Sequence, residues 1–402
     1  MKTTILRAKR IVTAGAAGTV YDGAIALREG KIEAVGTAES FGSALAQAQV
    51  VDFGDQVIAP GLIDCHSHLM EYAAASIYPV TEHTHTVSVS ALLLTALASG
   101  ITAVGDHICG FPGYFIRPED CLAAAEKSPL RVRPALCSIT LGGEPAGNFT
   151  AVTGNVPIPR EQLMDPEILK KIIDLSAFPG ENVFITATPA NLPLSAMPNA
   201  GKLVYSQEEL DRIAKTFHDA GKKLGAHVGG EEGIDMALNA GIDVLHHAHG
   251  MTPAQMQRAR EQGVAIVDTP LGGTHLPPRS AQGVVELVKA GLDVSLATDA
   301  YLPAPEGMEP LVPGKLYGPE AFMAVAAPAM QALKAAGYDE NHCLALITKN
   351  PAAVLGLSDV TGQIAPGLDA DLIVCKGIPG LEILDAAQIS AVYRQGVPVI
   401  RR

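Results

Sequence analysis

No stretch of this 402-residue sequence approaches the roughly 18 consecutive apolar residues that a membrane-crossing helix needs. Its opening, Met1 to Ala14, breaks into short apolar pieces around Lys2, Arg7, Lys9 and Arg10. It therefore lacks the unbroken apolar region of a secretory signal, and a cytoplasmic location is expected. Basic residues are in deficit, with 29 Lys and Arg against 42 Asp and Glu and a net charge of −13. Nucleic acid and anionic membrane both call for basic surface, so neither is an expected partner. The expected partner is a small-molecule substrate, and homo-oligomer formation is left open. The six cysteines (Cys65, Cys109, Cys121, Cys137, Cys343, Cys375) include no CxxC pair and read as reduced thiols, not as a disulfide framework. Tryptophan is absent, which excludes nothing. Charged residues are only 18% and hydrophobic residues 48%, enough to bury a large interior, and the length suggests about two or three domains.

The two ends share a character that the middle does not. Short apolar pieces at 4–8, 24–27 and 32–35 are separated by Gly and Asp turns, and 371–375, 389–393 and 397–400 repeat the pattern. Chain termini often lie close together, so these pieces are expected to pair into one β domain. Between them, helix-like stretches alternate with short apolar runs: 88–99 before 101–104, 118–127 before 131–136, 165–175 before 182–187, and 207–220 before 223–228. The rhythm continues with 231–240 before 242–246, 253–262 before 264–267, and 281–290 before 292–297. Five of these helices end just before a glycine (Gly100, Gly221, Gly241, Gly263, Gly291), which suits the left-handed residue after a helix. With 62–64 as the opening strand the count is eight, the pattern of an α/β TIM (β/α)8 barrel; an open doubly wound sheet is the alternative.

In such a barrel, chemistry sits at the C-terminal ends of the strands. The first strand runs into Cys65-His66-Ser67-His68, and alternation along an extended chain turns both imidazoles to one centre. Strand five ends in Ala226-His227-Val228, strand six in Leu245-His246-His247-Ala248-His249, and strand eight in Ala297-Thr298-Asp299. A lone strand-end histidine is ordinarily a satisfied structural residue. Histidines on three strands and an aspartate on a fourth, all at the same end, point to a divalent metal centre.

The run Pro60-Gly61-Leu62-Ile63-Asp64-Cys65-His66-Ser67-His68 resembles the signature that opens the barrel in the amidohydrolase superfamily. Asn350-Pro351-Ala352-Ala353-Val354-Leu355-Gly356-Leu357, Gly362-Gln363-Ile364-Ala365-Pro366-Gly367 and Ala370-Asp371-Leu372-Ile373-Val374 resemble that family's return into a β-sandwich. The resemblance covers nearly the whole chain. It implies a composite β-sandwich of residues 1–57 and 358–402 beside a metal-dependent hydrolase barrel of residues 58–357. It also implies Zn2+ or a similar divalent ion. Carried over residue by residue, it makes His66, His68, His227 and Asp299 metal ligands. His247 corresponds to the strand-six histidine, a ligand in two-metal members and an acid or oxyanion stabiliser in one-metal members. It is taken in preference to His246 because it matches the histidine of the family's Ile-Glu-His-Gly strand end, with the register open by one residue. His249 reads as a loop or pocket residue.

Two departures from the family pattern bear on the chemistry. Two-metal members carry a carboxylated lysine or a glutamate at the end of strand four. Here that strand reads Val183-Phe184-Ile185-Thr186-Ala187-Thr188, and Glu181, ahead of it, is expected at the opposite end of the barrel. One ion is therefore expected in preference to two. Deaminase-like members carry a glutamate three residues after the strand-five histidine, where this chain has Gly230. Glu231 and Glu232 are expected to open the next helix, where carboxylates meet the positive end of the dipole. The stretch from His227 to Gly233 resembles members that hydrolyse amides and cyclic amides, enamidase among them. The expected reaction is hydrolysis of a non-peptide carbon–nitrogen bond in a small, preferably cyclic, amide. Asp299 would act as general base and then acid, and His247 would steady the oxyanion. The alternatives are a deaminase or dechlorinase of a nitrogen heterocycle, or a non-catalytic relative, which the full ligand set opposes. Candidate substrate contacts in strand-end loops are Tyr72, His107 (beside Asp106), Thr188, Thr269 and Tyr301. His83 and His85 read as surface residues of a polar loop, and Gly272-Gly273 as a turn.

Overall fold

A computed structural model describes residues 3–72, 82–108, 117–137, 165–187, 200–299 and 318–402. The N-terminal strands are β1 (Thr4–Val12), β2 (Thr19–Arg28), β3 (Lys31–Thr37), β4 (Gln49–Asp52) and β5 (Val57–Pro60). They form one eight-stranded sheet with three strands from the other end of the chain, Leu372–Cys375, Ile389–Arg394 and Val397–Arg401. The two groups meet where Leu372–Cys375 runs antiparallel to β5, with Val374 opposite Ile58. Ile32, near one end of the sheet, shares a buried cluster with Tyr393, near the other, and with Leu6, Ile25, Ile58 and Leu372 between them. One sheet with a continuous buried apolar face therefore stands where a sandwich was expected, and β5 carries it to Pro60, past the expected boundary at residue 57. Leu372 is fully buried in that cluster. Leu372→Ala should lower unfolding stability by about 2–5 kcal/mol, the usual cost of such a cavity, measured as a shift in the urea midpoint.

The described residues in the middle of the chain supply eight strands, each parallel to the strands it pairs with: β6 (Leu62–Ser67), β7 (Ile101–Ile108), β8 (Arg131–Leu136), β9 (Val183–Phe184), β10 (Gly225–Gly229), β11 (Val244–His249), β12 (Ala265–Asp268) and β13 (Val294–Leu296). Among the described residues their backbone pairing runs as two arcs, β6-β7-β8 and β9 to β13 in order. The ends of the first and last strands are joined through Asp64. Its carboxylate accepts from Thr298 Oγ1 at 2.5 Å, from Thr298 N at 3.2 Å and from His66 N at 3.3 Å, while burial pushes its pKa up to about 7. Asp299 N also donates to the His66 carbonyl at 3.0 Å.

The helices between these strands follow their local chemistry. Gln207–Asp219 starts on a Ser206/Glu209 capping box and buries Leu210, Ile213, Ala214 and Phe217 on one stripe. All five glycines expected after helices take positive φ, between 70° and 86°. One expectation fails: Glu82–Ala98 is helix and not loop, so His83 is exposed, but His85 is buried and donates from Nε2 to the Met70 carbonyl at 2.8 Å. Cys65, Cys121, Cys137, Cys343 and Cys375 are buried free thiols; Cys109 lies outside the described residues. No described helix is long and apolar enough to cross a membrane.

The segment before β9 departs from a regular barrel, and it shapes everything above it. Phe178 to Asn182 is buried, and its main chain presses so closely on β10 that a Cβ at Gly225 would overlap the carbonyl oxygens of Pro179 and Gly180. A Cβ at Gly180 would lie 3.3 Å from the His107 ring. The chain enters the space between the strands before it joins the ladder.

Candidate metal centre

Strand β6 delivers His66 and His68 to one face, with both rings buried and 5.6 Å apart. Behind them lies His246. Its Nε2 is 3.1 Å from the Pro179 carbonyl, which only accepts, so the ring proton sits on Nε2. Its Nδ1 then accepts from His66 Nδ1–H at 3.0 Å, which leaves the His66 lone pair on Nε2. That atom is buried without a hydrogen-bond partner, 3.4 Å from Asp299 Oδ1 and 3.5 Å from Glu181 Oε1. Asp299 Oδ1, also without a hydrogen-bond partner, lies 3.3 Å from His68 Nε2. Burial lowers the His66 pKa well below the ordinary histidine value, which keeps the ring neutral. Lone pairs facing carboxylate oxygens in a buried space repel unless a cation lies among them.

Strand β11 brings two adjacent histidines into use by breaking its own alternation. Val228 pairs with His247 and Gly229 with His249, so the ladder skips Ala248. His247 and Ala248 take φ of 67° and 46°, and Asp299 takes 50°, left-handed values that cost about 1–3 kcal/mol each in side-chain-bearing residues. Arg279 holds the distorted turn, donating to the Ala248 carbonyl at 2.6 Å and to Asp268 at 2.9 Å. The distortion sends His246 behind His66 and His247 into the centre.

Glu181 overturns an expectation. It is 2% exposed and does not sit at the far end of the barrel: Oε1 bonds His247 Nε2, lies 3.2 Å from His227 Nδ1 and faces His66. The buried entry of residues 178–182 is the physical reason, since a residue ahead of a strand reaches the catalytic end only when the chain before it runs inside the strands. Burial alone would raise the Glu181 carboxyl, yet the bonded histidines His247 and His227 hold it well below the usual range. Burial would likewise lower His247, but the Glu181 charge raises it. The one signal available in the sequence was Phe178-Pro179-Gly180, a break placed just before the strand.

Three sets of ligand atoms each lie within 4.8 Å of one another: His66, His68, His107 and Glu181; His66, His247 and Asp299; and Glu181, His227 and His247. His227 thus groups with Glu181 and His247, apart from the His66–His68 pair with which the family pattern had grouped it. The ground for a single ion was the absence of an acid in this place, and Glu181 removes it. The neutral imidazoles, buried carboxylates and orphaned lone pairs fit divalent cations.

His107, expected to contact substrate, is instead fully buried and stacked on His66 at 4.1 Å, with Nδ1 accepting from Glu181 N at 3.5 Å. Its neighbour Asp106 accepts from Leu69 N at 2.8 Å, Met70 N at 3.2 Å and Ser67 Oγ at 3.0 Å, and so fixes the turn after His68. His249 Nδ1 lies 2.9 Å from Thr274 Oγ1 and its ring 5.9 Å from that of His247. Glu231 and Glu232 open the helix Glu231–Ala240, as expected. Thr188, Tyr301 and the side chain of Tyr72 lie outside the described residues.

Known proteins carry comparable chains. A 5-methylthioadenosine/S-adenosylhomocysteine deaminase from Nitratidesulfovibrio vulgaris (strain DP4) is 38% identical over 122 residues, which span 26% of this chain and 28% of that one. An imidazolonepropionase from Xanthomonas euvesicatoria pv. vesicatoria (strain 85-10) is 24% identical over 392 residues, 90% of this chain and 88% of its own. Among solved structures, a Xaa-Pro dipeptidase with bound methionine in the active site superposes at a TM-score of 0.74 and 18% identity, with both chains covered completely. That likeness gives the fold, a TIM barrel with a terminal domain. The sequence profile of the amidohydrolase family matches residues 57–399, from the last strand of the N-terminal group to the end of the C-terminal one, and by that match the chain belongs to the amidohydrolase family.

Proposed function

We propose that this chain is a metal-dependent hydrolase that cleaves a carbon–nitrogen bond in a small amide, preferably a cyclic one, with two divalent ions such as Zn2+. The observation that carries the two-ion reading is the place of Glu181 between His66 on one side and His227 and His247 on the other. His66, His68 and Asp299 would hold one ion, His227 and His247 the other, with Glu181 between them. Bound ions of this kind supply Lewis acidity that makes water a nucleophile near neutral pH. The chain's own contribution is then proton handling: Asp299 takes the water's proton and returns it to the leaving nitrogen. The bent β11 and the buried His246 keep the surrounding imidazoles from turning.

Deamination of a nitrogen heterocycle is the second reading, favoured by the named activity of the deaminase relative and opposed by Gly230 where deaminase-like members carry a glutamate. Dechlorination would use the same centre with another leaving group. One experiment separates these readings. Protein grown with added zinc should hold close to two equivalents by elemental analysis, and chelation should abolish turnover on a panel of cyclic amides. Turnover confined to aminated or chlorinated heterocycles would move the reaction to the second reading, and a protein that holds no metal would sink both.

A further inference from the structure

The turn after β12, residues Thr269 to Gly273, approaches the back of His247. Thr269 is fully buried, with Oγ1 2.7 Å from His247 Nδ1 and its hydroxyl proton donated to the Gly272 carbonyl. A threonine hydroxyl has one proton. Because the Gly272 carbonyl takes it, the contact with His247 has only one polarity: Nδ1–H donates and Oγ1 accepts. The lone pair of a neutral His247 is then confined to Nε2, the atom turned toward Glu181.

The two glycines make this polarity possible. Gly272 and Gly273 take φ of 126° and 130°, a region closed to residues with a side chain. A Cβ on Gly273 would overlap the His247 ring and come within 3.1 Å of Asp299 Oδ2. The main chain is thereby free to lie against the ring and turn the Gly272 carbonyl onto Thr269.

We propose that Thr269, set by the Gly272 carbonyl, is a positioning residue that locks His247 in the tautomer whose Nε2 binds metal; this rests on the metal-centre reading above. Without the hydroxyl, the ring can place its proton on either nitrogen, and an Nε2–H form cannot ligate. The orienting partner of a ligating histidine typically contributes about 10–100-fold in metal affinity.

The test compares Thr269→Val and Thr269→Ala, which remove the hydroxyl, with Thr269→Ser, which keeps it, using Co2+ as the probe. Titration should show one of the bound cobalt ions weakened by about 10–100-fold in the Val and Ala variants, with altered visible absorption bands, and wild-type affinity and bands in the Ser variant. With chelator present the variants should unfold at similar temperatures. With cobalt, the Ser variant should recover the wild-type rise in Tm and the Val and Ala variants only part of it. Wild-type cobalt affinity in the Val or Ala variant, or equal weakening in the Ser variant, overturns the inference while leaving the metal centre intact. Failure of the wild-type protein to bind cobalt overturns the underlying reading and this inference with it.

Discussion

Asp299→Asn should give a folded protein that keeps much of its metal and loses roughly 10²–10⁴-fold in kcat, the usual contribution of a positioned acid–base group. The fold should survive for two reasons visible in the structure. The backbone bond from Asp299 N to the His66 carbonyl does not involve the side chain. The residue sits at φ 50°, a left-handed value that asparagine accepts more readily than most residues. An amide oxygen can also still face His66 and His68, which lie 3.4 and 3.3 Å from Oδ1. What asparagine cannot do is accept a proton at neutral pH. The measurement is kcat on whichever amide proves active, with metal content determined on the same sample. Turnover near the wild-type rate would remove Asp299 from proton transfer and leave it as a ligand only.

The parts of this centre that follow regular strand geometry were legible in the sequence. His66 and His68 share a face because β6 alternates, and Asp299 follows β13 at the same end. The glycines after the helices took the left-handed conformation expected of them. The parts that were not legible are those where the chain leaves the ladder. His246 and His247 are adjacent and would point to opposite faces of a regular strand, yet the skipped Ala248 gives each its own inward task. Only the positive φ values reveal that bend, and nothing in Leu245-His246-His247-Ala248-His249 announces it. A residue just before a strand ordinarily belongs at its N-terminal end, which hides Glu181 from a reading of the sequence. Residues 178–182 do not lie below the strands, as the contacts of Pro179 with His246 and of Gly180 and Glu181 with His107 show. His85 was misplaced for a plainer reason: the polar, β-branched opening of Glu82–Ala98 disguises a helix whose inner face is buried.

Glu181→Gln separates a carboxylate that bridges ions from one that merely fills a buried space. The two side chains have nearly the same volume, so packing is preserved, and the glutamine NH2 can donate to an imidazole lone pair. With chelator present, the variant should nevertheless unfold at a somewhat lower temperature, since the surrounding histidines favour the charged carboxylate by more than its burial costs it. Metal should widen the gap. The wild-type protein gains stability from each ion it binds in the folded state, whereas the variant has lost a charge that faces His66, His227 and His247 together. Bound metal should fall from about two equivalents to one or fewer. The loss of affinity should exceed the roughly 10–100-fold typical of removing a ligand's hydrogen-bond partner. Elemental analysis and paired thermal unfolding, with and without zinc, read both effects. Two tightly held ions in Glu181→Gln would assign the carboxylate to buried polar packing, and a Tm gap no larger with zinc than with chelator would confine its negative charge to stabilising the fold.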